Sequence, residues 1–298
     1  MPAPRHVDLA SATQVVAALR EGTDANLNAA CRAGSIDHVR GPGTLLATGD
    51  LHDNSARFQA VVELAGFEGD QEPAHLTLHE LIHGDNLIDD MDPSYRALVR
   101  AAALKVANPE HVHVLLANHE LSQIAGRGVI KNGLNCVKAF NDGVDYVFGD
   151  DAPDVHAALA AFIRSMPLAL RCTPADASRG DVLCAHSLPA DDALEQFDTS
   201  ILERPLTEAD YQPRTGSAHM MTWGRNQSPA TLTTLARRWN AGLFILGHEK
   251  ADSGWLSMEP CGLILNTDHQ HACVCRLTLD TCPALQDAVR QVEGLQPG

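Results

Sequence analysis

The chain has 298 residues, of which 45% are hydrophobic and 20% are charged, and this composition predicts a globular protein with a sizeable core. Its formal net charge of −16 would repel a phosphate backbone, which disfavours nucleic-acid binding. We find no run of about 18 apolar residues, the length that a membrane span requires, and no apolar segment typical of a signal peptide near the start. We therefore expect a cytoplasmic protein without nucleic-acid or membrane partners.

The cysteine pattern indicates free thiols. No pair has the CxxC spacing, and the Cys273-Val-Cys275 segment has no second pair that could complete a zinc cage. We expect the eight cysteines to be buried and reduced.

Short apolar strands alternate with helical segments along the chain. The predicted strands are 44–48, 75–83, 111–117, 181–186, 242–248, 262–267 and 272–279. The predicted helices are 11–22, 56–67, 94–107, 153–166, 229–241 and 282–294. This alternation predicts an α/β protein whose parallel strands are covered on both faces.

We divide the chain into an N-terminal helical extension, residues 1–40, and a main domain, residues 41–298. The stretch 187–228 is polar and weakly periodic, so we interpret it as a cap or loop inserted over the functional site.

Polar side chains recur where the predicted strands end. They occur in the segments GDLHDN, HGDNLIDD, ANHE, CAHS and LGHEK, and they are Asp50, His52, Asp85, Asn118, His119, His186 and His248. Because ligands of open α/β sheets bind at the carboxyl ends of the strands, we expect these side chains to converge.

The chemistry of this set indicates metal binding. Asp, Asn and His supply oxygen and imidazole donors without a thiolate, which suits Mn²⁺, Fe or Zn²⁺, and a carboxylate can bridge two ions. Any one of these residues alone could instead be a loop or helix-cap residue, and Asn118 could cap the helix that begins with HELSQIAG.

These motifs, in this order, resemble those of the calcineurin-like metallophosphoesterases. The GHEK motif, with its single histidine, most resembles the corresponding motif of the serine/threonine protein phosphatase branch and its bacterial relatives. The resemblance runs from about residue 43 to about residue 279. It implies a two-sheet β-sandwich flanked by helices in four αββα layers.

The resemblance also implies a role for each matched residue. Asp50 and His52 would bind one metal ion, Asp85 would bridge, and His119 would be the general acid that protonates the leaving oxygen. The second ion would be bound by Asn118, His186 and His248.

The chain departs from the family pattern at two arginines. The family motif GDxVDRG stands here as Gly84-Asp85-Asn86-Leu87-Ile88-Asp89-Asp90, which lacks the phosphate-binding arginine, and Leu116-Ala117 replaces an Arg-Gly pair. The carboxylate that orients the catalytic histidine would be Asp89, one position late, or Asp90. Arg225 and Arg127 are the candidates for binding phosphate.

For five other histidines we favour a packing or surface role over metal binding. They are His75, His79, His83, His111 and His113. We keep a substrate or supporting role open for His269 and His271, and a place in the substrate cleft for Trp223.

The implied activity is hydrolysis of a phosphate monoester by direct attack of a metal-bridging hydroxide, with phosphoserine or phosphothreonine proteins among the substrates. One alternative is a hydrolase of dinucleoside polyphosphates or other nucleotides. Another is a non-catalytic scaffold that retains the phosphatase fold.

Overall fold

Two β-sheets pack face to face and carry helices on their outer surfaces. The structure is a computed structural model, and it describes residues 5–67, 69, 71–127, 129–131 and 133–295. One sheet has the strand order β1-β2-β8-β9-β10-β12-β11, and the other has the order β14-β13-β3-β4-β5. The predicted two-sheet sandwich flanked by helices is confirmed.

The strands in the described ranges follow in chain order. They are β1 (Arg32–Ala33), β2 (Ile36–Arg40), β3 (Thr44–Thr48), β4 (His75–His79), β5 (Val112–Leu115), β6 (Ile130–Lys131), β7 (Leu134–Asn135), β8 (Ala169–Thr173), β9 (Asp181–Ala185), β10 (Ala241–Leu246), β11 (Trp255–Met258), β12 (Gly262–Leu265), β13 (Cys273–Thr278) and β14 (Val292–Gly294).

The helices in the same ranges are α1 (Ala12–Asn28), α2 (Ser55–Ala65), α3 (Tyr95–Ala107), α4 (Asn118–Ala125), α5 (Cys136–Phe148), α6 (Ala152–Ser165), α7 (Ser217–Trp223), α8 (Pro229–Trp239) and α9 (Leu285–Val289). Short 3-10 turns occur at Gly149–Asp151, Asp191–Ala193 and Ile201–Glu203.

The central strands are apolar on both faces because each lies between two layers. In β3, Leu45 and Ala47 join the core between the sheets, whereas Leu46 joins the core beneath the helices. This alternation follows from the two-residue period of a strand. The strands β3, β4 and β5 run parallel, so their carboxyl ends lie at the same edge.

Local signals explain where several helices begin and end. The Asn54 side chain accepts a hydrogen bond from the Arg57 N–H at the start of α2, and Ser228 does the same for Thr231 at the start of α8. Asn240 ends α8 in the left-handed conformation.

Several predicted boundaries were wrong. The strand predicted over 75–83 ends at His79, and the closing helix predicted over 282–294 is reduced to α9 followed by β14. The sequence analysis also missed β2, β8 and α5.

The eight cysteines are buried and free, as predicted. Among the described residues, no helix combines the length and the apolarity needed to cross a bilayer. The division at residues 40 and 41 stays a prediction, as does the function of 187–228 as a cap. The strand β2 of the N-terminal segment pairs with β8 in the larger sheet.

Candidate metal and active site

Strand ends from both sheets meet at one buried site. Asp50 follows β3, Glu80 follows β4, and Asn118 opens α4 just after β5. From the other sheet, His186 follows β9 and His248 follows β10. The carboxyl ends of parallel strands thus supply the polar side chains, which is the arrangement expected for a ligand site in an α/β protein.

One group of potential ligands consists of Asp50, His52 and Glu80, whose ligand atoms lie within 4.8 Å of one another. His52 Nδ1 lies 3.1 Å from the Ile82 carbonyl oxygen, which can only accept a hydrogen bond. The proton of neutral His52 is therefore on Nδ1, and its Nε2, 3.9 Å from Glu80 Oε1, is free to act as a ligand.

A second group shares Glu80 and is centred on His186. His186 Nε2 lies 2.7 Å from Asn118 Oδ1, 3.1 Å from His248 Nδ1 and 3.2 Å from Glu80 Oε2. Glu80 therefore directs one oxygen toward each group of ligands, and this is the geometry of a bridging carboxylate.

The site fits metal ions because it gathers buried carboxylate, amide and imidazole donors and leaves one buried imidazole nitrogen without a partner. His248 is 6% exposed, and its Nε2 has no hydrogen-bond partner. Burial, followed by the charges of Asp50 and Glu120, raises the pKa of Glu80 well above its usual range. A bound cation would offset this penalty, and the oxygen and imidazole donors suit the metals predicted from the sequence.

His119 lies beside this site and is held by a second histidine. Its Nε2 is 3.2 Å from Glu80 Oε1, and its Nδ1 is 2.7 Å from His83 Nδ1. His83 Nε2 in turn lies 3.2 Å from Gln123 Oε1. Burial, followed by repulsion from His52 and His83, lowers the pKa of His119 to about 2.

The structure does not place Asp85 with the other predicted ligands. Asp85 is exposed and forms an ion pair with Lys131, with a distance of 2.9 Å between Asp85 Oδ1 and Lys131 Nζ. The prediction that Asp85 lies with the other ligands is therefore wrong, and Glu80 is the carboxylate that lies between the two groups.

The early end of β4 explains why Glu80, and not Asp85, lies at the site. Glu80 has a left-handed backbone with φ +49°, which interrupts the extended strand. The next amides, of Leu81 and Ile82, donate to Glu120 Oε1 at 2.7 and 3.3 Å instead of to a neighbouring strand. The first carboxylate after the strand is consequently Glu80, whereas Asp85 lies five residues further along an exposed loop.

Asp89 also lies away from the residue that it was predicted to orient. Asp89 and Asp90 occupy an exposed turn with φ +50° and +62°, closed by the Ile88–Met91 bridge. The position beside His119 is occupied by His83. The structure thus replaces the expected carboxylate with a neutral imidazole.

Arg225 is the predicted phosphate-binding residue that lies at the site. It is exposed, and its Nη1 donates to the His248 carbonyl oxygen at 3.1 Å. The Trp223 ring lies 6.2 Å from the His248 ring, so it borders the same region.

Three further residues were considered for substrate binding or support of the site, namely Arg127, His269 and His271. Arg127 is exposed just after α4. His269 Nε2 donates to the Ala251 carbonyl oxygen at 3.2 Å, and His271 is exposed.

Three residues of the site were missed by the sequence analysis, and they lie in one segment. His79, Glu80 and His83 form an HExxH pattern, which on a helix would direct two histidines to a single metal ion. Here His79 is the last residue of a strand, so the two histidines point to different partners, His186 and His119. The pattern could have identified these residues, but the predicted strand 75–83 included all three, and the Gly84-Asp85 dipeptide matched the family motif.

Four residues of the site have an unusual backbone conformation. His52, Glu80, His83 and His248 all have positive φ, between +43° and +67°. Such conformations are uncommon for residues other than glycine and cluster at functional sites. Gly247 has a steric role, because a Cβ there would lie 2.3 Å from Asp50 Oδ1.

Asn118 could have been a helix cap, but its side chain contributes to the site. The helix α4 begins at Asn118 itself, and Ala117 occupies the capping position. The Asn118 amide oxygen is therefore directed to His186.

The chain matches a known protein family over most of its length. The sequence model of a family described as calcineurin-like phosphoesterase matches residues 43–251. A comparison with curated proteins gave no match.

Solved structures show the same fold at low sequence identity. A protein serine/threonine phosphatase from Saccharomyces cerevisiae, with similarity to human phosphatase PP5, is 14% identical with a TM-score of 0.65, over 90% of this chain and 83% of the yeast chain. A cold-active protein-tyrosine phosphatase from a psychrophilic Shewanella species is 12% identical with a TM-score of 0.54, over 87% of this chain and 82% of the other.

Proposed function

Because this chain belongs to the calcineurin-like phosphoesterase family and is therefore a phosphoric ester hydrolase, we propose that it hydrolyses phosphate monoesters with two metal ions. Asp50, His52 and Glu80 would hold one ion. Glu80, Asn118, His186 and His248 would hold the other. When bound, the ions would supply the Lewis acidity that activates water and neutralises the phosphate oxygens.

The observation that carries this proposal is the position of the Glu80 carboxylate. One of its oxygens faces the Nε2 atoms of His52 and His119, and the other lies 3.2 Å from His186 Nε2. Among the described residues no lysine or arginine is bonded to this buried carboxylate, so a bound cation would stabilise its ionised form. The metal identity stays open between Mn, Fe and Zn, because the donors accept each of them.

We assign His119 the transfer of a proton to the leaving oxygen. With His83 Nε2 directed at the Gln123 amide oxygen, His83 Nδ1 accepts from His119 Nδ1–H. The Nε2 of His119 is then the nitrogen that faces the site and gains or releases a proton. A phosphate ester facing Nε2 would favour the protonated form by its negative charge.

Binding and orientation of the substrate would involve Arg225 and a neighbouring cavity. The Arg225 guanidinium is held beside His248 and can bind a phosphate oxygen through its remaining N–H groups. A cavity of about 310 Å³ opens beside His83, and its lining includes Lys131, Leu87 and Leu134. Because His83 contacts both this cavity and His119, the leaving group would lie on this side of the site.

Replacement of the two carboxylates that compete for the bridging role tests the proposal. Purified wild-type protein should hydrolyse para-nitrophenyl phosphate with added Mn²⁺ and lose activity when the metal is chelated. Glu80→Ala should lose bound metal and activity together, whereas Asp85→Ala should retain both. Metal content by elemental analysis and initial rates are measured on the same samples.

Two outcomes would contradict the proposal. Wild-type protein that carries metal but hydrolyses no phosphate ester would not be a phosphomonoesterase. Protein purified without chelator that contains almost no metal would favour the scaffold alternative.

The substrate class is tested next, by comparing kcat/KM for phosphopeptides and for nucleotides. Phosphopeptides are the first choice because both similar structures described above are named as protein phosphatases. A higher kcat/KM for nucleotides would instead support the alternative substrate class.

A further inference from the structure

His79 is a buried histidine that the proposed reaction does not use. It is the last residue of β4 and is 2% exposed. Its Nε2 lies 2.8 Å from the Thr48 carbonyl oxygen, and its Nδ1 lies 3.1 Å from His186 Nδ1. Each ring nitrogen of His79 therefore has a hydrogen-bond partner, and Nδ1 also lies 3.9 Å from Asp50 Oδ1, outside hydrogen-bond distance.

These two contacts determine where the protons lie. A carbonyl oxygen only accepts hydrogen bonds, so His79 Nε2 carries the proton and donates it to Thr48. In the neutral imidazole, Nδ1 is then an acceptor. The hydrogen bond between the two Nδ1 atoms consequently requires His186 to donate from its own Nδ1.

The position of this proton also determines the state of the other ring nitrogen of His186, which faces the proposed metal site. With the proton on Nδ1, His186 Nε2 has a free lone pair. This lone pair faces Asn118 Oδ1 at 2.7 Å and Glu80 Oε2 at 3.2 Å. Lone pairs that converge in this way suit a cation and repel one another without it.

We propose that His79 is a positioning residue that holds His186 in the Nδ1–H tautomer and thereby makes His186 Nε2 a ligand for a divalent cation. The inference rests on the proposed two-metal function and deepens it. Partners that donate to or accept from a metal-binding histidine fix its ring and tautomer, and their loss typically costs about 10–100-fold in metal affinity.

The contact with Thr48 gives this arrangement a rigid support. The Thr48 side chain donates to the Thr77 carbonyl oxygen at 2.7 Å, and the Thr48 N–H donates to Thr77 Oγ1 at 3.0 Å. The acceptor of His79 is thus fixed between β3 and β4.

Two substitutions separate the hydrogen bonds of His79 from its volume. In His79→Gln, the amide can accept from His186 through Oε1 and donate to Thr48 through Nε2, whereas His79→Leu fills the space without either bond. We expect His79→Leu to bind one of two Mn²⁺ equivalents about 10–100-fold more weakly, in competition with a chelator, and His79→Gln to recover most of the affinity. His75→Leu, at the start of the same strand, is the control and should bind both equivalents as the wild type does.

Nuclear magnetic resonance of the metal-free wild-type protein tests the tautomer without any substitution. Long-range ¹⁵N–¹H correlations of the imidazoles should show His186 protonated at Nδ1 and His79 at Nε2. A proton on His186 Nε2 would overturn the inference, as would wild-type affinity for both equivalents in His79→Leu. Equal losses in folded His79→Leu and His79→Gln would overturn it as well, because shape rather than hydrogen bonding would then be responsible.

The result is separable from that of the proposed function. Failure of wild-type protein to bind metal would contradict the proposed function. Wild-type protein that binds two equivalents but shows no effect of His79→Leu would contradict this inference alone.

Discussion

Two buried clusters of histidine and carboxylate lie at opposite ends of β4 and β5, and they differ in how their charge is balanced. The metal-site cluster follows the carboxyl ends of β3, β4, β5, β9 and β10. The second cluster, which we call the Asp37 cluster, lies near the starts of β2, β4 and β5 and consists of Asp37, His113, Lys105, Arg32 and His75.

The Asp37 carboxylate has cationic and donor partners on both oxygens. Arg32 Nε lies 2.9 Å from Oδ1, and His113 Nδ1 lies 2.8 Å from Oδ2, with the buried Lys105 Nζ at 3.8 Å. Burial opposes ionisation of Asp37, but the His113 hydrogen bond and these charges lower its pKa to about 2. The pKa of Glu80 moves in the opposite direction because burial and neighbouring carboxylates act on it together.

This contrast shows that nearby ligand residues alone do not identify a metal site. Cys31, Asp37 and His113 also lie within 4.8 Å of one another, as metal ligands would. However, Lys105 and Arg32 already neutralise Asp37, and burial raises the pKa of Cys31 to about 12, so its thiol remains protonated. Charge balance therefore separates a satisfied ion cluster from a site that requires cations.

Among substitutions in the metal-site cluster that keep the metal, the largest effect that we expect comes from His119→Ala. The variant should keep its bound metal but lower kcat by about 10²–10⁴-fold, because a positioned general acid contributes that much. Phenyl phosphate, whose leaving group needs a proton, is the substrate for the measurement. His75→Ala, in the Asp37 cluster, serves as the control and should leave kcat unchanged. Loss of metal from His119→Ala would show that His119 is a ligand instead.

In the Asp37 cluster the corresponding substitution should affect stability and not activity. Asp37→Asn leaves Lys105 and Arg32 without their buried counter-charge, and we expect it to lower the free energy of unfolding by about 3–5 kcal/mol. Urea denaturation measures this loss. Asp85→Asn, which breaks the exposed pair with Lys131, should cost no more than about 1 kcal/mol. An equally small loss for Asp37→Asn would contradict the charge balance described for this cluster.

Added metal should stabilise the protein only through the metal-site cluster. At free Mn²⁺ about 100 times its dissociation constant, the free energy of unfolding should rise by about 2.7 kcal/mol. The rise should disappear in Glu80→Ala and persist in Asp37→Asn. If the rise disappeared in Asp37→Asn instead, the metal would bind in the Asp37 cluster, which would contradict the proposed site.

The smallest expected effect is a pH dependence of stability that belongs to Asp37. Its pKa is about 2 in the folded protein against 3.8 as the ordinary value, so the folded state favours the ionised carboxylate. This stabilisation, roughly 2 kcal/mol, is fully present above about pH 5 and is lost as the pH falls toward 2.

Denaturation of wild-type protein and Asp37→Asn at several pH values between 5 and 2 measures this contribution. The difference between the two free energies of unfolding should shrink by roughly 2 kcal/mol over that range. A difference that stays constant, or that grows toward low pH, is incompatible with a depressed pKa for Asp37.

The sequence predicted much of the site because strand ends can be recognised locally. Apolar runs that stop at Gly49-Asp50, Ala117-Asn118 and Ala185-His186 identified residues that the structure brings together. The bridging carboxylate could not be found in this way. Its selection depends on where β4 ends, and that boundary depends on Glu120, which lies 39 residues from Leu81 and binds its amide.

The sequence alone determined the α/β class, the two-sheet sandwich that the family resemblance implies, and the kinds of donor atoms available, because these follow from periodicity and from motifs of a few residues. Only the tertiary structure decided that Glu80 replaces Asp85, that His83 replaces Asp89, and that His79 contacts His186. Each of these choices depends on hydrogen bonds between residues distant in the chain. Such bonds form only when the two sheets pack, and a linear pattern does not record them.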